Sequence, residues 1–236
     1  MRIGSLFSGI GGLELGLERA GLGHTVWQVE QDAYCRAVLA KHWPNAERFD
    51  DVRTVGAAVL SAVDLICGGF PCQDVSSAGK RAGLAGVRSG LWFEFYRVVR
   101  EMRPNWVVVE NVASGAHAWV DEVVVGLEQL GYECLPVPLA AADVGAPHGR
   151  ARVFVVAAHA DAKGEPVGAE HAEVACTSTS GRHWSSGQPD MVRMVHGLPR
   201  GMDGSRNRIA ALGNAVVPQC AEVIGHLIVR LRRQEA

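Results

Sequence analysis

Short apolar runs alternate with longer stretches of helical period through the first two-thirds of the chain. Ile3–Phe7, Thr25–Glu30, Val63–Cys67, Trp106–Glu110 and Val153–Ala157 have the length and apolar character of buried strands. Between them, Gly11–Ala20, Asp32–Lys41, Leu91–Met102 and Ala118–Leu130 space their apolar residues for helices. This alternation predicts an α/β fold with a parallel sheet covered by helices on both faces, because a parallel neighbour is reached through a crossover. Ligands of such sheets sit at the carboxyl ends of the strands. The positions just after Phe7, Glu30, Cys67 and Glu110 are therefore the first places to look for chemistry.

From about His159 to Pro189 the pattern dissolves into Gly, Ser, Thr, His, Glu and Pro, which predicts a loop-rich insert. Ala215–Arg232 recovers helical spacing, with Pro218 near its start and basic residues in its last turns, and reads as a terminal helix. The expected division is a sheet domain over 1–157, an insert over 158–200 and a C-terminal segment over 201–236 whose helix returns to the first domain.

Composition narrows the class. With 48% hydrophobic and 20% charged residues, the 236-residue chain is too apolar for a disordered one. Its longest apolar stretches, Trp106–Val109 and Val153–Ala158, fall far short of the ~18 residues of a membrane span. The start carries no secretory pattern, and six dispersed cysteines read as reduced thiols, so a cytoplasmic location is expected. A net charge of −2 argues against gripping nucleic acid with the whole surface. A local basic lip remains, because Lys80, Arg81, Arg88, Arg97, Arg100 and Arg103 outnumber Asp74, Glu94 and Glu101 between Cys72 and Arg103.

Five stretches carry candidate chemistry. Leu6–Glu14 is a strand running into a glycine turn that opens a helix, a place where backbone can approach a ligand closely. Glu14 stands where a dinucleotide fingerprint needs its third glycine, which disfavours NAD or FAD. An adenosyl ligand without pyrophosphate fits better, since Glu30 ends the next strand where a carboxylate can accept ribose hydroxyls. Gly68–Gly83 puts Cys72 in a loop bounded by glycine and proline at a strand's end, exposed rather than packed as a small hydrophobe. Val107–Val112 ends an apolar strand on Glu110 at the same rim. Gly145–Arg152 enters a strand with Arg150 and Arg152 at i, i+2, able to converge on an anion or a carbonyl. Arg208–Gln219 is a turn opening the last helix.

Together and in this order, these stretches resemble the DNA cytosine-5 methyltransferases of bacterial and phage type, over roughly residues 3 to 156 and 191 to 228. The resemblance implies a Rossmann-like S-adenosylmethionine-dependent methyltransferase sheet with a small target-recognition insert. It implies S-adenosyl-L-methionine as cofactor, double-stranded DNA as partner, no metal, no membrane, and a monomer. It places Phe7, Gly9 and Gly11 in the cofactor turn, Glu30 on the ribose, and Asp51 and Val52 on the adenine edge. Pro71 and Leu91 lie beside the cofactor, and Asn214 and Ala215 make its last contact. Cys72 becomes the nucleophile and Glu110 the acid on the cytosine ring, with Arg150 and Arg152 as the arginine pair and Arg152 at the cytosine carbonyl. Gln73, Ser76, Lys80, Arg81 and Arg88 fall on the loop that closes over a flipped-out base and touches DNA.

The residue types suit that chemistry. A thiolate added to carbon 6 makes carbon 5 of cytosine nucleophilic, and an acid at N3 with a cation at O2 stabilises the charge pushed onto the ring. Three departures from the family pattern stand out. His148 precedes the arginine pair where Gln is usual, Gln31 follows Glu30 where an aromatic is common, and 158–200 is short and not basic. Rival readings are an RNA cytosine-5 methyltransferase, a module that binds cofactor and DNA without turnover, and a thiol hydrolase pairing Cys72 with His148.

Overall fold

The computed structural model describes residues 1–71, 90–159 and 205–233. In chain order it has β1 (Arg2–Leu6), α1 (Gly12–Arg19), β2 (His24–Val29), α2 (Ala33–His42), β3 (Glu47–Phe49), a 3-10 turn (Val52–Thr54) and β4 (Leu65–Gly68). There follow α3 (Gly90–Met102), β5 (Trp106–Val112), α4 (Ala116–Gln129), β6 (Tyr132–Ala140), a second 3-10 turn (Ala141–Val144), β7 (Ala151–His159), α5 (Ser205–Asn214) and α6 (Pro218–Arg233). The seven strands form one sheet in the order β3-β2-β1-β4-β5-β7-β6.

The sheet is mixed, which corrects the expectation of a parallel one. β1 to β5 pair in parallel, but β7 runs antiparallel to both β5 and β6. The connection from β6 to β7 holds no crossover helix, only the 3-10 turn at Ala141–Val144, so the chain returns as a hairpin. β6 itself escaped the apolar pattern because Pro136 and Pro138 interrupt it. Both prolines are exposed while Leu135, Val137 and Leu139 are buried, and β6 is the sheet's edge, where a missing N–H is tolerated. β3, a short polar strand at the opposite edge, was likewise missed.

Alternation along the strands sends neighbouring side chains to opposite faces. Leu6, Ile66, Val107 and Val109 pack with Trp92, Phe95, Trp119 and Val123 of α3 and α4. Ile3, Leu65, Cys67 and Val108 pack with Leu13 and Leu17 of α1 and with Ile224, Leu227 and Ile228 of α6. Each fully buried aliphatic side chain contributes about 1.5–3 kcal/mol.

The C-terminus is two helices rather than one. Pro218 lacks an N–H and suits only a helix's first turn, so α6 starts there, and residues 215–217 separate it from α5. α5 was missed because its larger apolar residues, Ile209 and Leu212, are exposed and make no apolar stripe. Asn207–Arg232 taken as one stretch is long and apolar enough, by length and composition alone, to cross a membrane, a test that a core helix also passes. In the fold that stretch is broken at 215–217, and Ala221, Ile224 and Ile228 lie wholly inside the core. The docking of α6 on α1 is a backbone contact: a Cβ at Gly12 would strike the carbonyl of Val216, and one at Gly16 that of Pro218.

Candidate active site

The turn after β1 is held in a conformation that side chains rarely adopt. Phe7, Gly9 and Gly11 all have positive φ, at 55°, 56° and 85°. For a phenylalanine this is strain of about 1–3 kcal/mol, which persists where surrounding contacts enforce it. Here Ser8 N–H donates to the Val29 carbonyl at 3.2 Å and Gly11 N–H to the Ser8 carbonyl at 2.9 Å. Glu30, just past β2, accepts from Gly9 N–H at 2.7 Å through Oε2 and from Asp32 N–H at 2.8 Å through Oε1. The acid is thereby locked to the glycine turn. Asp32 in turn caps α2, accepting from Cys35 N–H at 2.8 Å.

Over the strand ends opens a small cleft of about 50 Å³. Phe7, Gly9 and Ile10 form one wall, Asn214, Ala215 and Val216 another, and Gly68, Gly69 and Glu110 bound the β4–β5 side. Ser5, Ser8, Gly12, Leu13 and Glu14 complete the lining. A Cβ at Gly9 would meet nothing within 4 Å, so the backbone there is open to a ligand.

Glu110 is 7% exposed, and its Oε1 lies 2.8 Å from Arg152 Nε. Burial pushes its carboxyl up to about 7, against the opposing pull of Arg152 and Arg150. Near neutrality such a group carries a proton part of the time, as an acid acting at a ring nitrogen must. The next residue, Asn111, is buried and donates from Nδ2 to the Phe70 carbonyl at 3.0 Å, while its Oδ1 accepts from Val112 N–H at 2.8 Å. The end of β5 thus fixes the start of the loop that leads through Pro71. Gly69 is required in between, since a Cβ there would press on the Glu110 carboxylate.

Arg150 and Arg152 divide their work. Arg152 pairs with Glu110, whereas Arg150 Nη1 donates to the Gly213 carbonyl at 2.7 Å. Arg150 therefore ties the arginine pair to the end of α5, beside Asn214. Its Nε and Nη2 are buried with no partner among the described residues, and burial together with the Arg152 charge lowers its pKa.

The family model for C-5 cytosine-specific DNA methylase matches residues 1–189. The chain belongs to this family. It is 36% identical over 168 residues to the Type II methyltransferase M2.BsuMI of Bacillus subtilis, covering 66% of this chain and 42% of that one. It is 34% identical over 160 residues to the Type II methyltransferase M.HhaI of Haemophilus parahaemolyticus, covering 66% and 48%. Among solved structures, a DNA modification methyltransferase encoded within an E. coli prophage superposes with a TM-score of 0.58 at 29% identity, covering 67% of this chain and 47% of that one. The chain spans about half the length of these relatives.

Within this member of the family, the fold gathers Phe7, Gly9, Asn214, Ala215 and Glu110 around one cleft, with Arg152 on Glu110 and Glu30 on Gly9. Gly11 does not line it; a Cβ there would strike the ring of Trp43, so its role is packing under the turn. Asp51 accepts from Arg53 in an exposed ion pair at 2.8 Å, which holds its carboxyl below the usual range. Val52 is buried, and Leu91 is half-buried on α3. Both belong to the apolar cluster on that face of the sheet, and Val52 also joins a second network, in which Arg97 of α3 donates to the carbonyls of Val52 and Val55 at 2.9 Å and pairs with Glu94 and Glu101. Arg97 is thus a structural residue, as is Arg103, which donates to the Leu130 carbonyl at 2.7 Å; neither belongs to a basic lip. Pro71 is exposed at the edge of the described residues, and Cys72, Gln73, Ser76, Lys80, Arg81 and Arg88 lie outside them, as does nearly all of the insert.

Sequence reasoning missed Asn111 as an anchor, Arg150's bond to Gly213, and Glu14, Ser5 and Ser8 in the cleft. The signal for Asn111 was its place beside Glu110 at a strand end. Glu14 had served only to exclude a dinucleotide. Among the described residues no group of His, Cys, Asp or Glu side chains comes together that could hold a metal ion.

Proposed function

We propose that the chain transfers a methyl group from S-adenosyl-L-methionine to carbon 5 of cytosine in double-stranded DNA, on a base flipped out of the helix. The observation that carries this reading is Glu110: a buried acid of pKa about 7, paired with Arg152 and facing the cleft at the mouth of the Pro-Cys-Gln loop. The cleft suits the cofactor by its charge. Glu14 lines it and Glu30 adjoins it, while Glu110 is offset by Arg152, a setting for a cation rather than for a phosphate.

The bound cofactor supplies an electrophilic methyl group on a sulfonium. Phe7, Gly9, Asn214 and Ala215 would hold it in the cleft they line, and Glu30 would take its ribose hydroxyls. Cys72 attacks carbon 6 as a thiolate; a carbon–sulfur bond forms and the pair from the 5,6 double bond moves into the ring. Glu110 shares its proton with N3, and Arg152 faces the O2 carbonyl where negative charge accumulates. Carbon 5 then takes the methyl group as the sulfur–methyl bond breaks and its electron pair stays on the sulfur of the departing S-adenosylhomocysteine; loss of the carbon-5 proton to water re-forms the double bond and expels Cys72 as thiolate. Arg150 positions the pair from Gly213. Gln73, Ser76, Lys80, Arg81 and Arg88 close over the base and its phosphates. The 158–200 insert reads the sequence; its shortness points to a short or relaxed target. The protein acts in the cytoplasm as a monomer.

The test is methylation of mixed-sequence DNA by the purified chain, with base-resolution mapping of 5-methylcytosine. Product is expected at a defined short sequence, abolished by Cys72→Ala, with a covalent adduct trapped on DNA containing 5-fluorocytosine. Undiminished product from Cys72→Ala would overturn the mechanism, and methylation of RNA alone would overturn the substrate.

A further inference from the structure

Glu14 lies in the first turn of α1 and is fully buried, at 0% exposure. Among the described residues neither carboxylate oxygen has a hydrogen-bond partner. The Ser5 and Ser8 hydroxyls stand beside it and favour its charge, but Ser8 Oγ donates to Ser5 Oγ at 2.9 Å. Burial outweighs them and pushes the carboxyl up to about 7. An unpartnered acid in a protein interior is destabilising by several kcal/mol unless it is neutralised or finds a cation. Its place near the helix N-terminus returns only about 0.3–1 kcal/mol, so folding alone does not account for it.

Glu14 is nonetheless part of the cleft lining, with Ser5, Gly12, Ala215 and Val216. If the cleft holds S-adenosylmethionine, as the reading above has it, the ligand brings two cationic centres. Its ribose is tied to the β2 side by Glu30, and its sulfonium must face the β4–β5 side, where Glu110 presents the cytosine. The α-ammonium then needs an acceptor on the remaining floor. Of the carboxylates lining the cleft, Glu110 is already paired with Arg152, which leaves Glu14.

We propose that Glu14 is a cofactor-binding residue that accepts the α-ammonium of S-adenosylmethionine, and of S-adenosylhomocysteine after transfer, with the Ser5 and Ser8 hydroxyls alongside. The acid then serves to recognise the amino-acid end of the ligand in a site whose adenosyl end is held elsewhere.

Calorimetric titration of the purified chain tests this with three ligands: S-adenosylhomocysteine, its desamino analogue, and 5′-methylthioadenosine, which lacks the amino-acid end. Glu14→Gln is expected to weaken S-adenosylhomocysteine about tenfold or more, as loss of a desolvated charge pair does, while methylthioadenosine binds as to the wild type. The unaltered protein is expected to prefer S-adenosylhomocysteine over the desamino analogue by a similar factor, a measurement that needs no variant. Equal affinity of the wild type for those two ligands would overturn the proposal. So would a Glu14→Gln protein that binds S-adenosylhomocysteine normally, or one that loses all three ligands alike. A wild type that binds no adenosyl ligand at all would instead overturn the cofactor reading on which this proposal rests.

Discussion

Arg152 on β7 reaches diagonally across the sheet to Glu110 on β5, its Nε 2.8 Å from Oε1, although the register sets Glu110 opposite Phe154. The pair exists because β7 runs antiparallel to β5, which brings the strand's first residues to the rim where β5 ends. Arg152 is the strongest group holding the Glu110 pKa down against burial.

If Glu110 acts in its protonated form, turnover falls as pH rises through about 7 in the wild type. Arg152→Ala removes the opposing charge, so the descending limb of the kcat profile moves to higher pH, whatever the loss in amplitude. Glu110→Gln lowers kcat by about 10²–10⁴ and flattens the limb. A limb that stays in place in Arg152→Ala would refute the coupling.

Asn111 anchors the chain at Phe70, just before the proposed nucleophile. Asn111→Ala leaves the Phe70 carbonyl without its donor and is expected to destabilise the fold by about 1–3 kcal/mol. Single-turnover methylation should drop by at least about tenfold while S-adenosylhomocysteine affinity stays within a factor of about two. Equal loss of both would show that the residue only supports the fold.

Two buried acids set the pH dependence of stability. Glu14 and Glu110 both rise from 4.5 to about 7 on folding, so the folded state binds more protons than the unfolded chain across that window. Stability from these groups is complete below about pH 4.5 and is lost as pH rises through about 7, on the order of 3 kcal/mol for each. Urea melts of the ligand-free protein at pH 5.5 and pH 8 should show the lower midpoint at pH 8. Glu14→Gln should reduce that difference; an unchanged difference would remove Glu14 from the account.

Gly12 allows the C-terminal link to close the cleft. Gly12→Ala puts a Cβ onto the Val216 carbonyl, a backbone atom that can yield only by moving α6. A stability loss of about 1–3 kcal/mol is expected, with weaker S-adenosylhomocysteine binding measured by the same titration. Full wild-type stability would show that α6 is less tightly fixed than the packing implies.

Much of this site was legible along the chain because strand ends advertise themselves. The glycine turn, Glu30, the Pro-Cys-Gln loop and Glu110 each follow an apolar run, and the fold sends every such run to one rim. What escaped were interactions whose partners lie far apart in sequence. Arg150 and Gly213 are 63 residues apart, and Asn111 and Phe70 are 41. The basic lip was over-read for the same reason: charge counts do not show that Arg97 and Arg103 spend their donors on backbone carbonyls and α3 carboxylates.

By itself the sequence determined the α/β class, the parallel strands β1, β2, β4 and β5, and the rim where they end. Local apolar period and turn residues carry that information. Only the tertiary structure decided that β7 reverses, that Pro136 and Pro138 sit on an exposed edge, that the last segment is two helices, and that Glu14 is buried beneath the cleft rather than in solvent. Strand direction and the burial of a charge depend on which distant segments pack alongside, and no local pattern encodes that.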